Sequence, residues 1–177
     1  MSFPLLRIRL ILFSLLAVSF GVGMAPAHGL AQASGENDAP VRYRIGVVLG
    51  GTSLVGLVGE VQQGRWAGEV VLGTLSFRDV SLAAAAKYYA SGGNLKPYAG
   101  LGFWTLIATS EERTGVMFAV RAPLGLNFRL ARGHDVGLEV GLNRAVWIRR
   151  LDPEDPAPPN SSLVPLPGLY YRYGLDE

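Results

Sequence analysis

The stretch from Gly115 to Leu130 alternates between two kinds of position over sixteen residues. Its even positions are all apolar, whereas its odd positions include two arginines and an asparagine. Successive side chains of a β-strand point to opposite faces, so this alternation predicts a long strand with one apolar face. Shorter versions of the same pattern recur along the chain.

Eight strands are predicted in all, separated by short segments rich in turn residues. Their predicted bounds are 41–50, 54–62, 65–75, 79–90, 96–107, 115–131, 135–148 and 164–175. Residues 82–90 could form a short helix on composition alone, but the neighbouring pattern favours a strand. Consecutive strands with short links indicate an antiparallel up-and-down meander, and closure into a barrel would remove its exposed edges. The barrel domain is predicted to cover residues 41–177.

The first 33 residues have the layout of a secretory signal peptide. Arg7 and Arg9 precede an apolar run at 10–24, and a small-x-small sequence ends at Ala33. A single membrane-spanning helix is the alternative, but the run is shorter than the roughly 20 residues that a bilayer requires. Residues 34–40 are polar and are predicted to be disordered. The sequence therefore predicts export.

Composition excludes several classes of function. Removal of Arg7 and Arg9 from the 16 basic residues leaves 14, which equals the 14 acidic residues. The exported chain is then close to neutral and has no basic cluster of the kind that binds nucleic acid. It contains no cysteine, which excludes disulfides, thiol catalysis and cysteine-ligated zinc.

The polar face of the predicted strands indicates which side of the barrel is inside. It is rich in glycine, which weakens a solvent-facing strand but fits a narrow eight-stranded interior. The apolar face runs for about 9 to 11 residues in several strands, the length that a tilted membrane strand needs. The fold prediction is therefore an all-β, eight-stranded antiparallel up-and-down transmembrane β-barrel.

Charged residues on the polar face would be sealed inside such a barrel and would have to pair, since an unpaired buried charge is costly. The predicted polar network of the barrel interior consists of Arg42, Arg44, Glu60, Glu69, Lys87, Arg121, Arg129, Glu139 and Arg172. Aromatic residues of the apolar face are expected at the headgroup belts. They are Tyr43, Trp66, Tyr88, Phe103, Tyr171 and Tyr173.

Two residues depart from the simple pattern. Pro123 lies within the sixth predicted strand and cannot donate a ladder hydrogen bond, so a bulge or a strand end is expected there. Arg144 lies on the apolar face of the seventh strand. We expect it above the bilayer, where its charge costs little.

The sequence "LKPYAGLGFW" at 95–104, the short turns and the closing strand resemble the small outer-membrane β-barrel family that includes OmpA, OmpX and OmpW. Barrels of this family end in a signal that the outer-membrane assembly machinery reads, and Gly168, Tyr171 and Tyr173 match its spacing. Here "GLDE" follows the last aromatic residue, and Leu166 stands where a polar residue is usual. The resemblance implies a periplasmic N-terminus and outward-facing loops after strands one, three, five and seven.

Catalytic, cofactor-binding and metal-binding motifs are not evident in the sequence. His134 beside Asp135 is interpreted as a turn residue rather than a base, and no histidine is expected near Ser110, Ser161 or Ser162. The acidic residues of two loops are interpreted as solvated charge rather than cation ligands. They are Glu111, Glu112, Asp152, Glu154 and Asp155.

The function predicted from the sequence is a non-enzymatic, porin-like outer-membrane protein with a structural, adhesive or surface-interaction role in the cell envelope. Its expected partners are outer-membrane lipid, the assembly machinery and an extracellular partner of unknown identity. Two alternatives remain open at this stage. One is a soluble periplasmic barrel that holds an apolar ligand inside, and the other is an envelope enzyme that acts on lipid.

Overall fold

The computed structural model describes residues 39–110, 113–150 and 162–175. These residues form eight β-strands in a closed antiparallel barrel whose spatial order follows the chain order. The strands are β1 (Val41–Gly50), β2 (Ser53–Gln63), β3 (Trp66–Thr74), β4 (Asp79–Tyr89), β5 (Leu95–Thr109), β6 (Thr114–Ala131), β7 (His134–Arg149) and β8 (Val164–Gly174). The predicted signal peptide at 1–33 and most of the predicted disordered segment at 34–40 lie outside the described residues.

The alternation of apolar and polar positions located these strands closely. Every predicted strand has its counterpart, and each end differs by two residues at most. The segment at 82–90, for which a helix was the alternative, belongs to β4 up to Tyr89. No helix among the described residues is long and apolar enough to cross a membrane.

The barrel closes through antiparallel pairing of β1 with β8, in which Leu49 lies opposite Leu169 and Arg44 lies opposite Gly174. We call the end of the barrel that contains Val41 and Gly174 the termini end, and the opposite end the loop end. Strands β5, β6 and β7 have 15, 18 and 16 residues, whereas the other five have 9 to 11. The three long strands therefore extend the wall on one side of the barrel.

The apolar face of each strand points outward. Leu57 and Leu101 are each 65% exposed, and they lie among a continuous set of outward-facing valines, leucines and aromatic residues. The interior faces carry most of the buried charged residues, including Lys87 and Arg172, which are 0% and 1% exposed. This distribution is the reverse of a water-soluble protein and is that of a transmembrane β-barrel. It is also the reverse of what a barrel with an apolar ligand inside requires.

Glycines on the interior face allow neighbouring strands and side chains to approach closely. An added Cβ at Gly102 would lie 2.0 Å from the carbonyl oxygen of Ala84, and one at Gly46 would lie 1.9 Å from that of Tyr171. Real Cβ atoms do not approach backbone oxygens so closely, so these positions require glycine. By contrast, a Cβ at the outward-facing Gly68 would meet no atom within 4 Å.

The expectation of a bulge or strand end at Pro123 is wrong. β6 continues through this residue to Ala131, and the proline ring is buried inside the barrel. Pairing with β5 passes from Ala99 opposite Leu124 to Gly102 opposite Arg121 without a change of register. The hydrogen-bond ladder between β5 and β6 is therefore interrupted around Pro123, which has no N–H donor, but its register does not change. One bulge in the pairing with β7 lies instead between Phe118 and Ala119.

We predict that Gly102→Ala destabilises the barrel whereas Gly68→Ala does not. The first methyl group would force β4 and β5 apart, and overpacking of this kind costs about 1–3 kcal/mol. The second would project into free space outside the barrel, so the free energy of unfolding should change by less than about 1 kcal/mol. Urea unfolding of both variants in lipid vesicles, followed by tryptophan fluorescence, measures the difference. Equal stability of the two variants would contradict the close interior packing.

Candidate functional site: the charged barrel interior

The barrel interior contains a chain of ion pairs in which cations and anions alternate. Arg121 on β6 pairs through Nη2 with Oε1 of Glu139 on β7. Oε2 of the same carboxylate lies 2.8 Å from Nζ of Lys87 on β4. That ammonium group also lies 2.6 Å from Oε2 of Glu69 on β3. Lys87 thus links carboxylates from two strands that are not neighbours in the sheet.

The chain continues toward the termini end through two arginines. Arg172 on β8 pairs with Glu69 through Nη2, and its Nη1 lies 2.8 Å from Oε2 of Glu60 on β2. Arg44 on β1 then bridges Glu60 and Asp135, with 2.9 Å from Nη2 to Glu60 Oε1 and 2.9 Å from Nη1 to Asp135 Oδ2. Salt bridges therefore connect seven of the eight strands across the barrel lumen.

The series of ion pairs inside the barrel is electrically balanced. It contains four cations and four anions, and the most exposed of the eight side chains is Glu139 at 13%. Buried charges are tolerated when each has a close partner of opposite sign and further hydrogen bonds. The four cations are Arg44, Lys87, Arg121 and Arg172, and the four anions are Glu60, Glu69, Asp135 and Glu139.

Three buried tyrosines supply polar contacts around the ion pairs. Tyr89 donates to Oε2 of Glu60 at 2.8 Å and accepts from Nη1 of Arg172 at 3.0 Å. Tyr98, on β5, donates to Oε2 of Glu139 at 2.8 Å, and its ring centroid lies 4.5 Å from Nζ of Lys87. The Tyr170 ring centroid lies 3.8 Å from the guanidinium carbon of Arg172. With Tyr98, every strand contributes to the network.

The structure brings together seven of the nine interior residues that the sequence predicts. The other two, Arg42 and Arg129, are partly exposed near the termini end, and Nε of Arg129 lies 3.7 Å from Asp135 Oδ1. Sequence reasoning placed Asp135 at the start of the seventh strand, on its polar face, but did not include it in the predicted network. It also missed Tyr89 and Tyr98, which occupy interior positions of β4 and β5. Strand parity was the signal that could have identified all three.

The network leaves little room inside the barrel. A cavity of about 20 Å³ lies on the loop side, between Arg121, Glu139 and Arg172. Another of about 10 Å³ lies near the termini end, beside Arg42, Arg129 and Asp135. Such volumes correspond to single water molecules. Nε and Nη1 of Arg121 have no hydrogen-bond partner among the described residues, and the neighbouring cavity has room for a water at this position.

His134 contacts aromatic residues on the outside of the barrel. Its Nδ1 lies 2.7 Å from the hydroxyl oxygen of Tyr171, and its ring packs at 5.2 Å from that of Tyr173. Within the described ranges, no group of three His, Asp or Glu side chains is placed to hold a metal ion. Ser110 directly follows β5, and Ser162 lies two residues before β8. Glu111, Glu112, Asp152, Glu154, Asp155 and Ser161 lie outside the described residues.

The residues of the expected assembly signal lie on β8. Tyr171 and Tyr173 point outward and are 38% and 42% exposed. Gly168 lies on the interior face opposite Gly50, close to the β1–β2 turn. The two tyrosines and His134 form one aromatic cluster on the outer surface near the termini end.

Comparison with known proteins adds little to this description. No family model matches the chain, and no curated protein matches it. Among solved structures, the chain is similar to one described as "De novo design of transmembrane beta-barrels", with 17% identity and a TM-score of 0.48. The match covers 76% of this chain and 95% of that one. Membership in the OmpA, OmpX and OmpW family thus remains a prediction, and the function has to be inferred from the barrel's own residues.

We predict that Arg172→Met strongly destabilises the barrel, although methionine fits the space of the aliphatic stem. The substitution leaves the Glu60 carboxylate with one cation, Arg44, and removes a partner from Glu69. Loss of one member of a buried ion pair costs about 3–5 kcal/mol. Arg132→Gln removes the same charge from an exposed turn and should change the free energy of unfolding by less than about 0.5 kcal/mol. Urea titration in vesicles compares the two, and similar losses would argue against a stabilising network.

Proposed function

We propose that the chain is a non-enzymatic outer-membrane β-barrel protein with a structural, adhesive or surface-interaction role in a Gram-negative-type envelope. The single observation that carries the proposal is the combination of an apolar outer surface with a sealed, charged interior. In water, so large an apolar surface would drive aggregation. In a bilayer it is the surface that the hydrocarbon requires.

The aromatic residues of the outer surface support insertion into a bilayer. Trp66 and Tyr88 pack edge to face with ring centroids 5.1 Å apart, and both lie toward the termini end. The cluster of His134, Tyr171 and Tyr173 lies at the same end. Aromatic residues of this kind prefer the headgroup level, because their rings are apolar and their polar atoms reach water.

The sealed interior supports a role that does not depend on transport. Eight strands enclose space only for side chains, and here the ion pairs and tyrosines occupy it. The same observation disfavours the soluble alternative, since the interior cavity on the loop side, at about 20 Å³, is too small for an apolar ligand. An enzymatic role has less support, because His134 contacts two tyrosines on the outer surface.

Export and assembly complete the proposal. A signal peptide at 1–33 would deliver residues 34–177 to the periplasm. The outward-facing Tyr171 and Tyr173 on the last strand are available to the assembly machinery, with Gly168 three residues before Tyr171. In this orientation the termini face the periplasm and the loop end faces outward. The loops would then carry any adhesive or surface contacts.

We predict that the mature protein fractionates with the outer membrane and migrates differently on a gel before and after boiling in detergent. A closed barrel with many interior ion pairs resists unfolding by detergent at room temperature, so the unboiled form should migrate as a compact species. Arg172→Met provides a comparison in which this resistance should decrease. Recovery as a soluble periplasmic protein without a mobility shift would contradict the proposal.

We also predict low conductance in planar bilayers. The ion pairs block the lumen between the two small cavities, so single-channel recordings of the inserted protein should show no large openings. A matched measurement on a water-filled porin checks the assay. Large, stable conductance steps from this barrel would refute the sealed interior, while leaving its location in the membrane unaffected.

A further inference from the structure

The outer face of β7 carries two arginines and a tryptophan beyond its apolar segment. Arg144 lies opposite the outward-facing Val120, and Arg149 lies opposite Val116. Both arginines are exposed, and Trp147 between them is 54% exposed. Neither arginine has a hydrogen bond or ion pair to another residue in the described part of the chain.

The position of Arg144 along β7 corresponds to the edge of a bilayer. It lies ten residues beyond His134, which belongs to the aromatic cluster near the termini end. At about 3.3 Å per residue and a tilt of about 40°, this separation is about 25 Å along the barrel axis, which equals the apolar band of such barrels. Every outward-facing residue between the two, from Val136 to Leu142, is apolar. Arg144 therefore lies at the level of the headgroups on the loop side.

A β-bulge turns Trp147 and Arg149 outward. Phe118 pairs with Trp147 and Ala119 pairs with Ala145, so Val146 is the extra residue of β7. With regular alternation, Trp147 and Arg149 would share the interior face of Ala145. The bulge instead places them on the outer face with Arg144. The strand thus presents a cation, an aromatic ring and a second cation in one outward-facing column.

We propose that Arg144, Trp147 and Arg149 form a binding surface for the phosphate groups of anionic membrane lipids in the loop-side leaflet. The inference rests on the proposed membrane location and identifies the lipid that this side of the barrel recognises. A guanidinium group binds phosphate through two parallel hydrogen bonds. The two arginines are about 13 Å apart along the strand, and their flexible stems allow both groups to reach the headgroup layer. The indole ring of Trp147 prefers the same layer.

Native mass spectrometry of the detergent-solubilised full-length mature protein tests this surface. The probes are phosphatidylglycerol and phosphatidylcholine, added at equal concentration. The wild-type barrel should bind phosphatidylglycerol preferentially. In the double variant Arg144→Gln/Arg149→Gln, the ratio of bound phosphatidylglycerol to bound phosphatidylcholine should fall about fivefold for each arginine replaced. Arg132→Gln, which removes one exposed cation at the termini end, should keep most of the preference and serves as the control.

The variant Arg144→Lys/Arg149→Lys keeps both charges and should retain part of the preference, since lysine lacks the planar two-donor geometry. It also covers the case in which the glutamine variant does not fold. A preference that is unchanged in the glutamine variant, or that falls equally in Arg132→Gln, would overturn the proposal. Either result would indicate a protein partner, not lipid, as the occupant of this surface. A protein that does not insert into vesicles of either lipid would instead refute the membrane location itself, so the two failures are distinguishable.

Discussion

The structure depends on the neutralisation of charge inside a narrow barrel. Eight strands leave no room for a hydrated lumen, so each buried cation needs an anion from another strand. The alternating order from Arg121 to Asp135 satisfies this requirement with four charges of each sign. Lys87 and Arg172 each contact two carboxylates from different strands. The ion pairs therefore fix the relative positions of strands that the hydrogen-bond ladder alone does not join.

Much of the fold could be predicted because strand parity is a local property of the chain. The alternation that recurs along the chain and the turn residues between the apolar segments located all eight strands, and the glycines of the polar face indicated a crowded interior. Gly102 illustrates the physical reason, since a methyl group there would meet the backbone of β4. The same reasoning identified most of the buried charges, because a charged residue on the polar face of a narrow barrel, away from its ends, has no other environment.

The remaining features depend on contacts that the sequence does not encode locally. Asp135 lies next to a turn, and only the closed barrel shows that Arg44 of β1 reaches it across the lumen. Pro123 was expected to distort β6, but the neighbouring strands maintain the register around it. The bulge at Val146 has no proline or glycine to mark it, so simple alternation assigns Trp147 to the wrong face. Errors of this kind arise where long-range pairing overrides local pattern.

The bulge in β7 determines which residues the outer edge of the barrel presents. Without the extra residue, Trp147 and Arg149 would lie on the interior face of β7, in the part of the strand that extends beyond its pairing with β8. On the outer face, the guanidinium group reaches water and, at the proposed membrane location, headgroup phosphates. The change of face therefore concentrates positive charge at the outer edge of the apolar band. In the proposed function, contacts with other molecules would involve the loops and this outer edge, since the ion pairs and tyrosines fill the interior.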